Sequence, residues 1–295
     1  MRTHVGFIGL GVMGTPMALN MARSGTPLLA WSRSSTKYDA LRGVGAQVAE
    51  LPDDVFSQCE VVMLMLANDR AIDDVLGRGT PNFRTRVTDH IIVNMSTTSA
   101  EYSQLLAAEI RANGGRYVEA PVSGSRKPAE TGQLVVMLAG LPEDVEKVRV
   151  LVQPLCRESF LCGDVPRALT MKLAVNLFLI TMVTGLTEAT HFAERQGIDL
   201  ALFASILNAG PMSSDVSRVK LDKLVAQDFS VQAAITDVLK NSRLVVEAAR
   251  NAGVASPLMD ICLALYGDAE MLGFGTDDMC AVVKAIEKRT DGHSQ

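Results

Sequence analysis

Three groups of residues in this 295-residue chain have types and spacing suited to chemistry. Lys172 opens a long apolar run and stands four positions before Asn176, so in a helix the two share a face. An ammonium among apolar side chains is costly unless paired or neutralised. Such surroundings lower its pKa toward the range of a general acid–base. A lysine snorkelling at a helix end fits the same residues. The second group is Glu119-Ala120-Pro121-Val122-Ser123-Gly124-Ser125. It follows a strand-like run, and Ser123, Gly124 and Ser125 offer hydroxyl and N–H donors suited to a carboxylate. An ordinary Pro/Gly/Ser loop is the other reading. Lys240, in Asp237-Val238-Leu239-Lys240-Asn241, reads by itself as an exposed lysine on a helix.

The third group is Gly9-Leu10-Gly11-Val12-Met13-Gly14, a Gly-x-Gly-x-x-Gly between an apolar strand reading (Val5 to Ile8) and a helix reading (about Val12 to Ser24). In that context Gly9 permits a tight turn, Gly11 lets the backbone approach a pyrophosphate, and Gly14 lets helix and strand pack closely. The helix start then offers free N–H groups to the phosphates. A glycine-rich turn of some other α/β protein is the alternative. The next strand reading, Pro27 to Trp31, ends in Ser32-Arg33-Ser34-Ser35-Thr36-Lys37. An NAD site places an acid about here for the ribose 2′-OH. The chain instead has Arg33 and Lys37 with hydroxyl residues between them, which suit a 2′-phosphate and hence NADP. A solvated basic loop is the competing reading.

The elements that must hold these groups alternate in the first half. Val61 to Leu66, His90 to Asn94, Gly115 to Glu119 and Leu134 to Ala139 read as strands; Ala100 to Ala112 and Pro142 to Val152 read as helices. This pattern predicts an α/β fold with a mostly parallel, doubly wound sheet of Rossmann type. After about Gly163 the strand pattern stops. Helical patterns follow over Leu169–Gln196, Asp199–Asn208, Ser214–Val225, Ala233–Ala252, Pro257–Leu272 and Asp278–Arg289. The predicted organisation is a dinucleotide-binding domain over 1–164, an all-α domain over 165–290 entered by a long interdomain helix, and a disordered tail over 291–295. The stretch Leu173–Thr187 reads as a fully buried helix, short and polar for a membrane span. It is expected either to be the spine of the second domain or to be shared with a partner chain.

A formal net charge of -5 and the absence of a long basic run argue against nucleic acid as a main partner. The five cysteines show no Cys-x-x-Cys pairing, so a reducing, cytoplasmic setting without disulfides or a bound metal is expected. The start of the chain runs directly into a strand, and no signal peptide is expected.

Taken together, the spacing resembles the β-hydroxyacid dehydrogenase family, and within it the glyoxylate/succinic semialdehyde reductase branch. The resemblance runs from about Val5 to Ile286. Gly6 to Ala18 is similar to the family's N-terminal signature, Trp31-Ser32-Arg33-Ser34 to the segment of its NADP-preferring members, and Glu119 to Glu130 to the semialdehyde-reductase form of its substrate loop. Met171-Lys172-Leu173-Ala174-Val175-Asn176 is similar to the catalytic-lysine segment, and Asn94-Met95-Ser96-Thr97 to the strand end near the nicotinamide ribose. The resemblance implies Lys172 as general acid, Asn176 orienting it and the substrate, and Ser123 and Gly124 holding a substrate carboxylate. It implies an NADP site of Gly9, Leu10, Gly11, Val12, Met13, Gly14, Ser32, Arg33, Ser34, Lys37, Leu66, Ala67 and Thr97, with Lys240 approaching the nicotinamide. A small carboxylate-bearing carbonyl compound is the implied substrate, and a homodimer or homotetramer through the helical domain the implied assembly, with no nucleic-acid or membrane partner. The chain departs from the family in Val165-Pro166-Arg167-Ala168, where Gly-x-Gly is usual, and in Asn241, where an aspartate usually follows the lysine. Imine reductases and catalytically silent NADP-binding scaffolds share this architecture and are the rival readings.

Overall fold

The computed structural model describes residues 4–293. Among them, strands β1 (His4–Ile8), β2 (Leu28–Trp31), β3 (Gln47–Val48), β4 (Cys59–Leu64), β5 (Ile91–Asn94), β6 (Arg116–Glu119), β7 (Val122–Ser123), β8 (Leu134–Gly140) and β9 (Cys156–Gly163) form one sheet. From β3 to β6 the order is β3-β2-β1-β4-β5-β6 and every pairing is parallel. β8 then runs antiparallel to both β6 and β7, and β9 pairs with β8 in parallel. The chain order reverses beside β1, which leaves a crevice at the carboxyl ends of β1 and β4, the usual ligand position in open α/β sheets.

Both faces of the sheet are covered, which explains why β1 and β5 read as unbroken apolar runs rather than alternating ones. Phe7 packs on one side with Met17, Ala18 and Met21 of the helix Gly14–Arg23 and with Val145 and Val148 of the helix Pro142–Val152. Its neighbour Ile8 packs on the other side with Val55, Ile72, Leu106 and Ile110. Alternate residues of a strand point to opposite faces, so a single stretch of β1 serves two cores. Burying each such side chain contributes about 1.5–3 kcal/mol.

The chain divides into two compact units, one ending at Lys172 and the other starting at Leu173, so the division falls inside the helix Arg167–Arg195. The second unit is helical among its described residues. In the helix Ile235–Asn251, Ile235, Val238, Leu239, Ser242, Val245 and Val246 are buried, the three-and-four spacing of one helical face. They meet Leu173, Ile180 and Val183 of the long helix and Met259, Cys262 and Tyr266 of the helix Pro257–Ala269. A buried ion pair fastens this unit: Lys220 Nζ lies 2.8 and 2.9 Å from the two carboxylate oxygens of Asp278. Asp278 also accepts from the N–H groups of Gln232, Ala233 and Cys280. Burial pushes its carboxyl up, but Lys220 and these donors outweigh that and hold it below the ordinary carboxylate range.

Two expectations are corrected here. Within this chain the stretch Leu173–Thr187 is not fully buried: Phe178 is 68% exposed. By length and composition the long helix is also the one described helix that could cross a membrane. Leu173, Ile180 and Val183 instead sit in the second unit's core, and Thr184 and Thr187 satisfy their buried hydroxyls on carbonyls one turn back. The expected disordered tail is helical through His293, because Val283–His293 continues the final helix; Ser294 and Gln295 lie outside the described residues.

Candidate active site

The glycine turn closes where the crevice requires it. Gly9 has φ +106°, a conformation that side chains rarely tolerate, and a Cβ there would lie 2.2 Å from the Met65 carbonyl oxygen at the end of β4. A Cβ on Gly14 would lie 1.8 Å from the Gly9 carbonyl oxygen, so the helix can start this close to the strand only without a side chain. Gly11 differs, since a Cβ there would meet nothing within 4 Å. Its freedom from side-chain bulk leaves space above the turn, where a pyrophosphate would approach. The helix Gly14–Arg23 has no side-chain cap and no acid in its first turn; Thr15 N–H already donates to Gly11 O and Pro16 has no N–H, so what the helix start offers an anion is mainly the positive end of its dipole. Leu10 and Met13 pack on the core, while Val12 is exposed.

The basic segment after β2 is held by Tyr38, which the sequence reading passed over. Its hydroxyl accepts from the Ser32 N–H at 3.1 Å and donates to the Ser32 carbonyl at 3.0 Å. The Ser32 hydroxyl in turn accepts a long hydrogen bond from Leu10 N–H at 3.4 Å, tying the segment to the glycine turn. Ser34 donates to Thr36. Arg33, Ser34 and Lys37 are exposed, and among the described residues neither Arg33 nor Lys37 has an ion pair.

Ser96, also not singled out beforehand, fastens the ends of β4 and β5. Its hydroxyl accepts from Leu66 N–H at 2.8 Å, and its own N–H donates to Asn94 Oδ1 at 3.0 Å. Leu66 and Thr97 are half-buried around this junction, and Ala67 is exposed. β6 leads through Ala120 and Pro121 into β7, so that Ser123 lies on the strand paired with Val135 of β8. Gly124 follows with φ +126°, pressed so near Leu134 and Pro128 that a Cβ would lie 2.7 Å from Leu134 Cδ2. Ser123 is half-buried, and its hydroxyl makes no hydrogen bond among the described residues.

Lys172 is 7% exposed, and burial alone pulls its ammonium down to about 8. One turn later Asn176 is 2% exposed, and its buried Nδ2 has no hydrogen-bond partner among the described residues. The start of this helix is fully accounted for. Arg167 N–H donates to Asp164 O, Ala168 and Leu169 N–H donate to Glu119, and Thr170 N–H reaches Pro166 O. The Ala168 methyl is buried with Met137 and Ala139, so alanine fills space that the glycine usual in the family would leave. Lys240 lies in the second unit on the helix Ile235–Asn251 and is half-buried, not the exposed lysine expected from its position. Elsewhere in that unit, ligand atoms of His191, Glu194 and Glu287 lie within 4.8 Å of one another, but Lys284 already pairs with Glu287 at 3.0 Å.

A family model described as the NAD binding domain of 6-phosphogluconate dehydrogenase matches residues 4–163. Another, described as the NAD-binding of NADP-dependent 3-hydroxyisobutyrate dehydrogenase, matches residues 167–286. Glyoxylate/succinic semialdehyde reductase 1 of Arabidopsis thaliana is 31% identical over 96% of this chain and 98% of its own length. The chloroplastic glyoxylate/succinic semialdehyde reductase 2 of the same plant is 29% identical over 96% of this chain and 79% of its own. The crystal structure of a 3-hydroxyisobutyrate dehydrogenase from Salmonella typhimurium superposes with a TM-score of 0.87 at 24% identity, covering 95% of this chain and 99% of that one. With the Rossmann-type sheet and the helical second unit, these matches place the chain in the β-hydroxyacid dehydrogenase family, as an NAD(P)-dependent oxidoreductase acting between hydroxyl and carbonyl groups.

Proposed function

We propose that the protein is an NADPH-dependent reductase of small aldehyde, semialdehyde or 2-oxo acids, reversible as a 3-hydroxyacid dehydrogenase. The observation that carries this reading is Lys172. Its ammonium is buried without an ion-pair partner among the described residues, and at a pKa of about 8 it is charged at neutral pH yet ready to release its proton. The open space at Gly11 and the uncapped, acid-free helix start fit a dinucleotide pyrophosphate. Arg33 and Lys37 support NADPH over NADH, since both are exposed on a segment that carries no acid. The activities named for the two plant relatives support the substrate class.

When bound, the nicotinamide supplies the hydride. Lys172 Nζ gives its proton to the carbonyl oxygen as negative charge develops there, and a donor already in place stabilises that charge without reorganising. Asn176 Nδ2, buried without a partner, donates to the substrate and keeps it in line with Lys172. Ser123 and Gly124 hold the carboxylate, which fixes the orientation of the carbonyl. In the reverse direction Lys172 is the base. We also infer self-association through the helical unit, because Phe178, Phe192, Leu202 and Ile206 are exposed on it.

The test is turnover. Purified protein should oxidise NADPH with glyoxylate or succinic semialdehyde, and Lys172→Ala should abolish turnover while NADPH still binds. Tight NADPH binding with no turnover across aldehyde acids, ketones and imines would instead favour a silent scaffold. Turnover confined to imines would favour an imine reductase.

A further inference from the structure

We propose that Glu119 is a positioning residue for Lys172, its carboxylate anchoring the first turn of the lysine's helix to the sheet edge that carries the substrate loop. The proposal rests on the reductase reading for its kinetic consequence, and on hydrogen-bond geometry for the anchor itself. Glu119 is the last residue of β6 and fully buried. Its Oε2 accepts from Ala168 N–H and Leu169 N–H, both at 3.1 Å, and its Oε1 accepts from the Ser103 hydroxyl at 2.6 Å. The second and third N–H groups of an α-helix have no partner within the helix. Here a carboxylate from 49 and 50 residues earlier supplies both, at the positive end of the helix. Lys172 lies one turn beyond these two residues.

The anchor is itself braced. Ser103 spends its single proton on Glu119, so the Tyr117 hydroxyl, 2.8 Å away, must donate to Ser103. Asn94 Nδ2 donates to Tyr117 at 3.0 Å, and Ser96 N–H donates to Asn94 Oδ1 at 3.0 Å. Every donor in this buried relay points toward Glu119, an arrangement in which each bond strengthens the next. It begins at Ser96, which fastens the ends of β4 and β5, and finishes at the helix bearing Lys172. Burial pushes the Glu119 carboxyl above the ordinary range, while Ser103, Leu169 and Ala168 pull it back.

Three variants separate this role from a general need for the residue. Glu119→Gln keeps an oxygen for the two N–H groups, and its amide can donate to Ser103, so kcat should stay within about threefold of wild type. Glu119→Asp keeps the charge but is one methylene too short, and Glu119→Ala has no acceptor; both should lose at least about tenfold in kcat. For all three, NADPH affinity should remain that of wild type. Amide hydrogen exchange at Ala168 and Leu169 should accelerate in the Asp and Ala variants and not in Gln. Wild-type kcat in the Asp variant, or exchange at those two amides unchanged in it, would overturn the proposal. So would a Gln variant as impaired as Asp, even if Ala fails to fold. Exchange is read without substrate, so it still decides on the anchor if the wild-type protein reduces nothing. That outcome counts against the reductase reading alone.

Discussion

Gly11 and Gly14 make the same chemical substitution give opposite results. In Gly14→Ala the new methyl would sit 1.8 Å from the Gly9 carbonyl oxygen, against the 3.0 Å that real contacts respect, and the neighbour is backbone that cannot rotate away. The helix Gly14–Arg23 must shift off β1, at the cost of an overpacked core, about 1–3 kcal/mol. In Gly11→Ala the methyl meets nothing within 4 Å, and Gly11 is not among the residues with positive φ. Stability should hold or rise by about 0.4–1 kcal/mol, because alanine restricts the unfolded chain. The cost appears only when the dinucleotide arrives. If its pyrophosphate packs on Gly11, a methyl in that contact imposes a similar overpacking cost of about 1–3 kcal/mol, or about 5- to 150-fold in Kd. Urea denaturation measures the first quantity and quenching of NADPH fluorescence the second. A Gly11→Ala protein that binds NADPH like wild type would refute the placement of the phosphates. A Gly14→Ala protein of wild-type stability would refute the packing argument.

Two further outcomes follow from charge. Below about pH 8 Lys172 is protonated in both the folded and unfolded chain, and its burial penalty is fully felt; between about 8 and the ordinary 10.5 only the unfolded chain keeps the proton. Stability should therefore rise with pH across that window, by about 3 kcal/mol from this group. Lys172→Met should remove that rise and be more stable than wild type at neutral pH, which denaturation at several pH values checks; equal pH slopes in the two proteins would contradict it. Arg33→Ala should weaken NADPH binding about tenfold, the scale of one hydrogen bond to a charged group at an exposed site, and leave NADH binding unchanged. An unchanged NADPH affinity would remove the 2′-phosphate assignment.

What was legible in the sequence was mostly what is local. The helices Ala100–Ala112 and Pro142–Val152 have the bounds expected, because Ser99 caps one and Pro142 opens the other. The glycine turn was readable because its strand, turn and helix are contiguous. β9 was not, since Cys156–Gly163 carries Arg157, Glu158 and Ser159 and pairs with β8 alone, so its mostly exposed pattern lacks an apolar alternation. β3 and β7 have two residues each, too few for any period. Several short helices were missed for the same reason. Tyr38, Ser96 and the anchoring of Glu119 depend on partners distant in sequence, which spacing does not encode. The half-burial of Lys240 is likewise not encoded in spacing, because it depends on the packing around its helix face.

The two-residue link between β6 and β7 sets how this family member can diversify. Ala120 and Pro121 are buried, Ala120 N–H is bonded to Asn94 O, and the Pro121 carbonyl accepts from Met137 N–H. An inserted residue would break both bonds and slip Ser123 out of register with β8, turning its side chain to the opposite face. After Gly124 the chain is mostly exposed, but the helix Arg126–Glu130 there buries Ala129 in the core, and the Ala129 carbonyl accepts from Asn20 Nδ2 at 2.8 Å, so that flank is held in place as well. Evolution, or an engineer, seeking a new substrate must therefore exchange side chains at fixed loop length rather than lengthen or shorten the loop.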